Sequence, residues 1–422
     1  MNRRHLVQRL SMSMLSPKLL TKLYAHGQTA ESSSDPKRPV SANDHVNVGV
    51  IGPGSRGLEL TRQLLRTAGV KITAVCDVYE PRFTQVNDLV GEKVPAYRNY
   101  RELLARKDID AIFVATPPVF HAEHVIASIE SGRPVYGEKT LAFKPEDCHR
   151  VVEIVSQHKQ IFQIGHQYRY ASWYQEAINR VHRGDIGEPT HVYGYWHRSD
   201  TWRRPVPAPN LEHLLNWRLY RETSGGLFEE LGSHHIEVAN WVFGEHPESV
   251  LGTTSIAVSK DGRTVGDNVQ AVLGYSKGRR MVFSSLSDNA MMGDQLWIFG
   301  TEGSVQLTIE DATFYGEKRK DAAIASHSDL IQKGVVTGSS YKTSFAMPYR
   351  GPGDRVPMKP GEDPTRTACT EFIRCIRTKQ QPFADVHVGY GTAMAAAVGR
   401  TAFREEHGVP VPNLKSGAKP GA

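Results

Sequence analysis

Cysteine is scarce in this 422-residue chain, and the four present, Cys76, Cys148, Cys369 and Cys375, form neither a CxxC pair nor the His and Cys spacing of a zinc site. Cys76 ends a predicted buried strand and the others fall in helical patterns, so all four read as packed thiols that identify no redox compartment. Also missing is the long uncharged apolar run that a membrane-spanning helix needs, so no integral membrane protein is expected. Excess charge is missing from most of the chain too. A net charge of +6 and a pI near 9.0 suggest a nucleic-acid partner. Residues 1–40, however, hold seven basic residues against two acidic ones, which leaves the remainder close to neutral. No nucleic acid is expected as a partner.

The basic leader opens MNRRHLVQRL and turns Ser-, Pro- and Lys-rich before residue 45. Paired arginines ahead of an apolar stretch are the pattern of a twin-arginine export signal, which implies a periplasmic or exported protein. Arg9, Lys18 and Lys22 interrupt that stretch, so a disordered basic tail on a cytoplasmic protein stays open beside it.

The chain then turns apolar. HVNVGVIG reads as the first buried strand of a parallel sheet and runs into GPGSRG, where Gly52, Gly54 and Gly57 have GxGxxG spacing around Ser55 and Arg56. Glycines there permit a tight turn and bring a pyrophosphate up to a helix N-terminus, whose free N–H groups and dipole favour an anion. A second strand, VKITAVCD, ends at Asp77, about twenty residues on, where a carboxylate accepts hydrogen bonds from an adenosine ribose. Asp77 favours NAD, because it would repel a 2′-phosphate; Arg82 keeps NADP open. The βα alternation continues through a strand ending at Thr116 and Pro117, next to His121, which either lines the nicotinamide end or caps the following helix. A fifth strand, in RPVYGEKT, delivers Glu138 and Lys139 to the same rim. A lysine there can ease removal of a hydroxyl proton, its own pKa held down by burial and neighbouring charge. A Lys-Glu pair at a strand end is otherwise an ordinary solvated feature.

Five motifs in order, GPGSRG, ATPPVFH, GEKT, GHQYRY and GGLFEELGSHHIEVANWVFG, together resemble the glucose–fructose oxidoreductase, inositol dehydrogenase and MocA family from residue 45 to about 412. The resemblance implies α/β plus α+β architecture: an N-terminal Rossmann doubly wound parallel sheet, and a C-terminal domain on a large, open, mostly antiparallel sheet. It implies Lys139 as a catalytic lysine, from an EKP-like motif in which Thr140 stands for the proline. It implies His234 as the catalytic histidine, with Glu230 where the family has Asp, and Tyr168 and Arg169 on the substrate side. Arg169 fits a buried structural ion pair equally well.

From residue 191 the rhythm becomes β-rich without regular helices, as expected for an antiparallel sheet. The expected division is a leader or tail at 1–44, a nucleotide-binding domain at 45–165, a substrate-binding domain at 166–412 and a tail at 413–422. A homo-oligomer could form through the second sheet. A Trp-, Arg- and Pro-rich segment at 199–226 reads as a polyol-binding lid carrying Trp202, Arg203, Trp217 and Arg218, or as a Pro-rich excursion with core tryptophans. On a helix Glu230 and His234 lie one turn apart, so the carboxylate can orient the imidazole for proton transfer. A helix-face ion pair and a metal site of Glu230, His234 and Glu237 are the alternatives; without HExxH spacing no metal is expected. Residues 311–366 show no periodicity and read as a surface excursion.

The expected reaction is hydride transfer between NAD(P) and a sugar or polyol hydroxyl carbon. The alternatives are a redox-assisted glycosidase that uses the same groups on a glycoside, and a non-catalytic sugar or cofactor sensor.

Overall fold

A computed structural model describes residues 45–317 and 352–404. The leader 1–44, the tail 413–422 and residues 318–351 of the expected excursion lie outside these.

The first apolar run forms β1 (Val46–Ile51), almost wholly buried because helices cover both faces of its sheet. The chain then alternates through α1 (Ser55–Leu65), β2 (Val70–Cys76), α2 (Pro81–Val90), β3 (Ala96–Tyr97), α3 (Tyr100–Ala105), β4 (Ala111–Val114), α4 (His121–Glu130), β5 (Val135–Glu138), α5 (Pro145–His158) and β6 (Phe162–Gly165). The strands pair in parallel in the order β3-β2-β1-β4-β5-β6. That order reverses between β1 and β4, which opens a crevice at the carboxyl ends of the strands. Strand β6 stops at Gly165; the rest of the expected strand, Gln167–Tyr170, is a 3-10 turn.

After α6 (Ser172–His182), strands β7 (Pro189–His197), β8 (Ser249–Ser255), β9 (Asn268–Gly274), β10 (Arg280–Leu286), β11 (Asp294–Gly300), β12 (Gly303–Thr308), β13 (Asp311–Gly316) and β14 (Asp354–Pro357) build an eight-stranded sheet. Its order is β14-β13-β12-β11-β7-β10-β9-β8, antiparallel except where β7 meets β10. Burial alternates along β10 and β12, with Met281, Phe283, Val305 and Leu307 facing a core shared with α6 and with α7 (Ser233–Phe243). Gly194 on β7 lets α7 settle closely, since a Cβ there would stand 2.6 Å from the His235 ring.

Two expectations are revised here. The supposed excursion at 311–366 contributes β13 and β14, too short for their periodicity to stand out. And the chain does not stay in the second unit. Of its last elements, α8 (Pro364–Thr378) and the start of α9 (Val386–Arg404) return to the first, where Phe372 packs edge-on against Phe113 and Tyr136 at 5.3 and 5.9 Å between ring centroids, while the end of α9 packs on the second core through Ala395 and Phe403. Hydrophobic surface left on α1 and β6 is covered by this return. All four cysteines are buried and free. No helix among the described residues is long and apolar enough to cross a membrane.

The glycine turn between β1 and α1 is set by backbone crowding. Gly52 has φ +82°, and a Cβ on Gly57 would lie 2.4 Å from the Gly52 carbonyl oxygen. Because that neighbour is backbone, it cannot swing aside. Gly57→Ala is therefore expected to destabilise the chain by about 1–3 kcal/mol in urea unfolding; an unchanged midpoint would show that the turn opens freely.

Candidate active site

The site is assembled where the carboxyl rim of the first sheet meets the start of α7. Lys139 is the first residue beyond β5. Its Nζ crosses to the second unit and donates to the backbone carbonyl of Glu230 at 2.6 Å, with the Glu230 carboxylate at 3.9 Å. Burial pushes the Lys139 pKa down, while the Glu230 and Glu138 carboxylates oppose that shift. The Lys139–Thr140 peptide is cis. Thr140 is held by its hydroxyl, which donates to Glu229 Oε1 at 2.9 Å.

Glu229 and Glu230 lie in a π-helical turn, Phe228–Gly232, that leads directly into α7. Its wider winding removes the expected one-turn stacking of Glu230 on His234. The Glu230 carboxylate turns instead to Arg218, whose Nε donates to Oε2 at 3.0 Å and whose guanidinium lies 4.2 Å from the Trp217 ring centroid. The expectation that Glu230 orients the imidazole is thus corrected: it holds Lys139 and Arg218.

His234 is buried, and its Nδ1 has no hydrogen-bond partner among the described residues. The rings of Tyr168, Trp196 and His166 surround it at centroid distances of 5.2, 5.4 and 6.2 Å. Burial first, and then the neighbouring Lys139, drive its pKa well below the usual histidine value, so the imidazole is neutral at pH 7. The next residue, His235, serves the scaffold. Its Nε2 contacts Asp294 Oδ1 at 2.9 Å, and Asp294 Oδ2 accepts the Tyr168 hydroxyl at 2.5 Å. Tyr168 is thereby fixed against the His234 ring.

At the other end of the crevice, a Cβ on Gly54 would meet nothing within 4 Å, and α1 has no side-chain cap. Ser55 is exposed at the first residue of α1. Asp77, half-buried at the end of β2, accepts the Tyr79 N–H at 2.8 Å; burial raises its pKa against that bond and against Arg82. Thr116 and Pro117 line the end of β4, with the Thr116 methyl against Gly52. An open helix N-terminus beside a strand-end carboxylate suits a dinucleotide's phosphates and ribose.

Several sequence expectations change. Arg56 and Glu138 engage each other, Nε to Oε1 at 2.7 Å, and Arg56 also donates to Thr365 at 3.1 Å, so both brace the strand end instead of standing free for a cofactor. His121 neither lines the pocket nor caps its helix. Its two ring nitrogens lie 2.5 and 2.6 Å from the carbonyl oxygens of Thr140 and Thr116, tying the ends of β4 and β5 together. Arg169 takes the structural alternative: it is buried and pairs with Glu237 beneath Trp241 and Phe383. Glu237 is thereby removed from any grouping with Glu230 and His234. No metal-binding cluster of three His, Cys, Asp or Glu side chains occurs among the described residues. The expected lid divides. Trp217 and Arg218 reach the site, whereas Arg203 ties the loop to Asp261 and Glu212 at 3.0 and 2.8 Å and Trp202 packs on the second core.

His166, Trp196, Glu229 and Asp294 were not singled out from the sequence. For His166 a signal was present, since it follows a strand parallel to the one that carries Lys139. Asp294 begins a strand far along the chain, and only sheet pairing brings it to Tyr168.

The family model for the oxidoreductase family NAD-binding Rossmann fold matches residues 46–166, and that for the GFO/IDH/MocA C-terminal domain matches residues 174–306. Among curated relatives, inositol 2-dehydrogenase of Salmonella typhimurium is 28% identical over 207 residues, which is 49% of this chain and 56% of that protein. The chain thus matches little more than half the length of that relative. Among solved structures, levoglucosan dehydrogenase in complex with NADH and levoglucosan superposes with a TM-score of 0.67 at 19% identity, covering 87% of this chain and all of that one. Scyllo-inositol dehydrogenase from Lactobacillus casei, with NAD(H) and scyllo-inositol, gives 0.62 at 17%, over 86% and 97% of the two chains. At these identities the structures speak to the fold.

Glu229 gives the site a measurable pH signature. Burial raises its pKa to about 7, against the opposing Arg400 charge. An acid whose folded pKa exceeds its unfolded value of about 4.3 stabilises the fold most below that value. This contribution is lost as pH rises through about 7. Denaturant titrations of Glu229→Gln should therefore show a larger gain, or smaller loss, relative to wild type at pH 8 than at pH 5; equal differences at both pH values would contradict the assignment.

Proposed function

The chain belongs to the GFO/IDH/MocA oxidoreductase family, and on that premise we propose that it is an NAD-dependent oxidoreductase acting at a hydroxyl-bearing carbon of a sugar or polyol. The observation that carries this reading is the buried Lys139 ammonium, anchored on Glu230, beside a neutral His234 with an unpartnered Nδ1.

The glycine turn at Gly52, Gly54 and Gly57 and the Asp77 carboxylate would hold the dinucleotide, and Asp77 favours NAD over its 2′-phosphorylated form. When bound, the nicotinamide accepts or returns a hydride. The protein's own groups manage the proton. His234, neutral because it is buried beside a cation, accepts the hydroxyl proton during oxidation and returns it during reduction. Lys139 donates a hydrogen bond to the same oxygen as negative charge grows on it, and the low-dielectric surroundings strengthen that interaction. Glu230 and Arg218 keep the ammonium in place, while Tyr168 and Trp196 exclude water from the imidazole.

Titration of the purified protein with NADH, followed by a panel of sugars, polyols and glycosides, tests the reading. We expect NADH binding and NADH formation on at least one polyol. Lys139→Met should lower kcat by about 10²–10⁴-fold while NADH affinity is retained. Absence of nicotinamide binding would overturn the proposal. Release of an aglycone without accumulating NADH would instead assign the same groups to redox-neutral glycoside cleavage.

Two further elements belong to the proposal. The outer face of the second sheet carries Leu251, 70% exposed, and a stack of Trp297, Phe299 and Tyr315, which supports self-association of this face. The paired arginines of the leader support export. Sedimentation should give more than a monomer, and fractionation should recover the protein outside the cytosol; a monomer, or protein confined to the cytosol, would contradict the respective element.

A further inference from the structure

His166 is the first residue beyond β6, and no step described above uses it. Strands β5 and β6 pair in parallel with Glu138 opposite Gly165. The next residue on each strand, Lys139 and His166, therefore leaves the sheet side by side at its carboxyl rim. His166 is 1% exposed, and neither of its ring nitrogens has a hydrogen-bond partner among the described residues. Its ring stands edge-on to that of His234, with centroids 6.2 Å apart and planes at 89°.

Burying an imidazole with both nitrogens unpaired is costly, and a group that bore only on stability would be replaced without loss by an apolar ring. The cost is borne beside His234, whose Nδ1 is also unpaired among the described residues. Burial first, and then the Lys139 charge, hold the His166 pKa down to about 3, so at pH 7 the ring offers one donor and one acceptor. A hydroxyl group likewise both donates and accepts. Two neutral imidazoles set edge-on to each other beside Lys139 thus match two hydroxyls on neighbouring carbons: one engaged by His234 and Lys139, and the other left for His166.

We propose that His166 is a substrate-contacting residue that binds the hydroxyl on the carbon next to the one oxidised, so that the site selects a vicinal diol. This rests on the oxidoreductase reading above, and the test keeps the two apart.

Wild type, His166→Phe and His166→Asn are compared by NADH titration and by NADH formation on myo-inositol and a panel of hexoses. For whichever compound turns over, the analogues lacking one hydroxyl beside the oxidised carbon are assayed as well. NADH binding and polyol turnover by wild type sustain the oxidoreductase reading whatever His166 does. For His166 we expect wild type to prefer the diol over the deoxy analogue by about 10²-fold or more in kcat/KM. The Phe variant should raise KM for the diol by about 10–100-fold, keep NADH affinity and the pH profile of kcat, and lose the preference. The Asn variant, which retains a donor and an acceptor, should keep part of the preference and serves as the measurement if the Phe variant fails to fold. A diol preference that survives in both variants overturns the proposal. So does a loss confined to kcat with a displaced pH profile, which would make His166 a proton-transfer group. If wild type binds NADH yet neither turns over nor binds any vicinal diol of the panel, the proposal falls while cofactor binding stands.

Discussion

The contact on which the rest depends is the bond from the Lys139 ammonium to the Glu230 backbone carbonyl. It joins the rim of a parallel sheet to the π-helical turn of a second unit, across a separation of 91 residues. A buried ammonium loses hydration energy that weak contacts cannot replace, so the groups around it are arranged to compensate. The Glu230 carboxylate lies near it, Arg218 fixes that carboxylate, and Thr140 and Glu229 secure the next link of the chain. Moving either unit would leave the cation without a partner.

The burial that this contact imposes also sets the protonation of the imidazoles beside it. Burial first, and then the neighbouring Lys139, push the pKa of both His166 and His234 down, and both imidazoles are held neutral. The Lys139 amino group and two neutral imidazoles thus bring hydrogen-bond donors and acceptors together in a poorly hydrated space. The aromatic walls and the His235–Asp294–Tyr168 chain hold this arrangement in place.

Bracing residues and candidate site residues are interleaved along the sequence. Arg169 and His121 sit in motifs that also supply site groups, yet one is spent on a buried ion pair and the other on joining two strand ends. Arg203 and Arg218, both in the Trp-rich segment, have opposite assignments, because one ties Glu212 of that segment to Asp261 outside it and the other meets the carboxylate that holds Lys139. Residue type is the same for Arg203 and Arg218; the partner reached by the folded chain decides the role.

Sequence by itself determined the first sheet, the glycine turn and Asp77 at the end of β2, because these follow from local periodicity and from backbone crowding that a few adjacent residues impose. It also placed Lys139 at a strand end and identified His234 through the family resemblance. Tertiary structure alone decided that Glu230 serves the lysine and not the histidine, since a π-helical turn has no signature in residue spacing. It decided as well that α8 returns to the first core, and that His166 stands beside Lys139. Those facts depend on pairings between segments far apart in the chain, where the energy of contact arises only once both surfaces have formed.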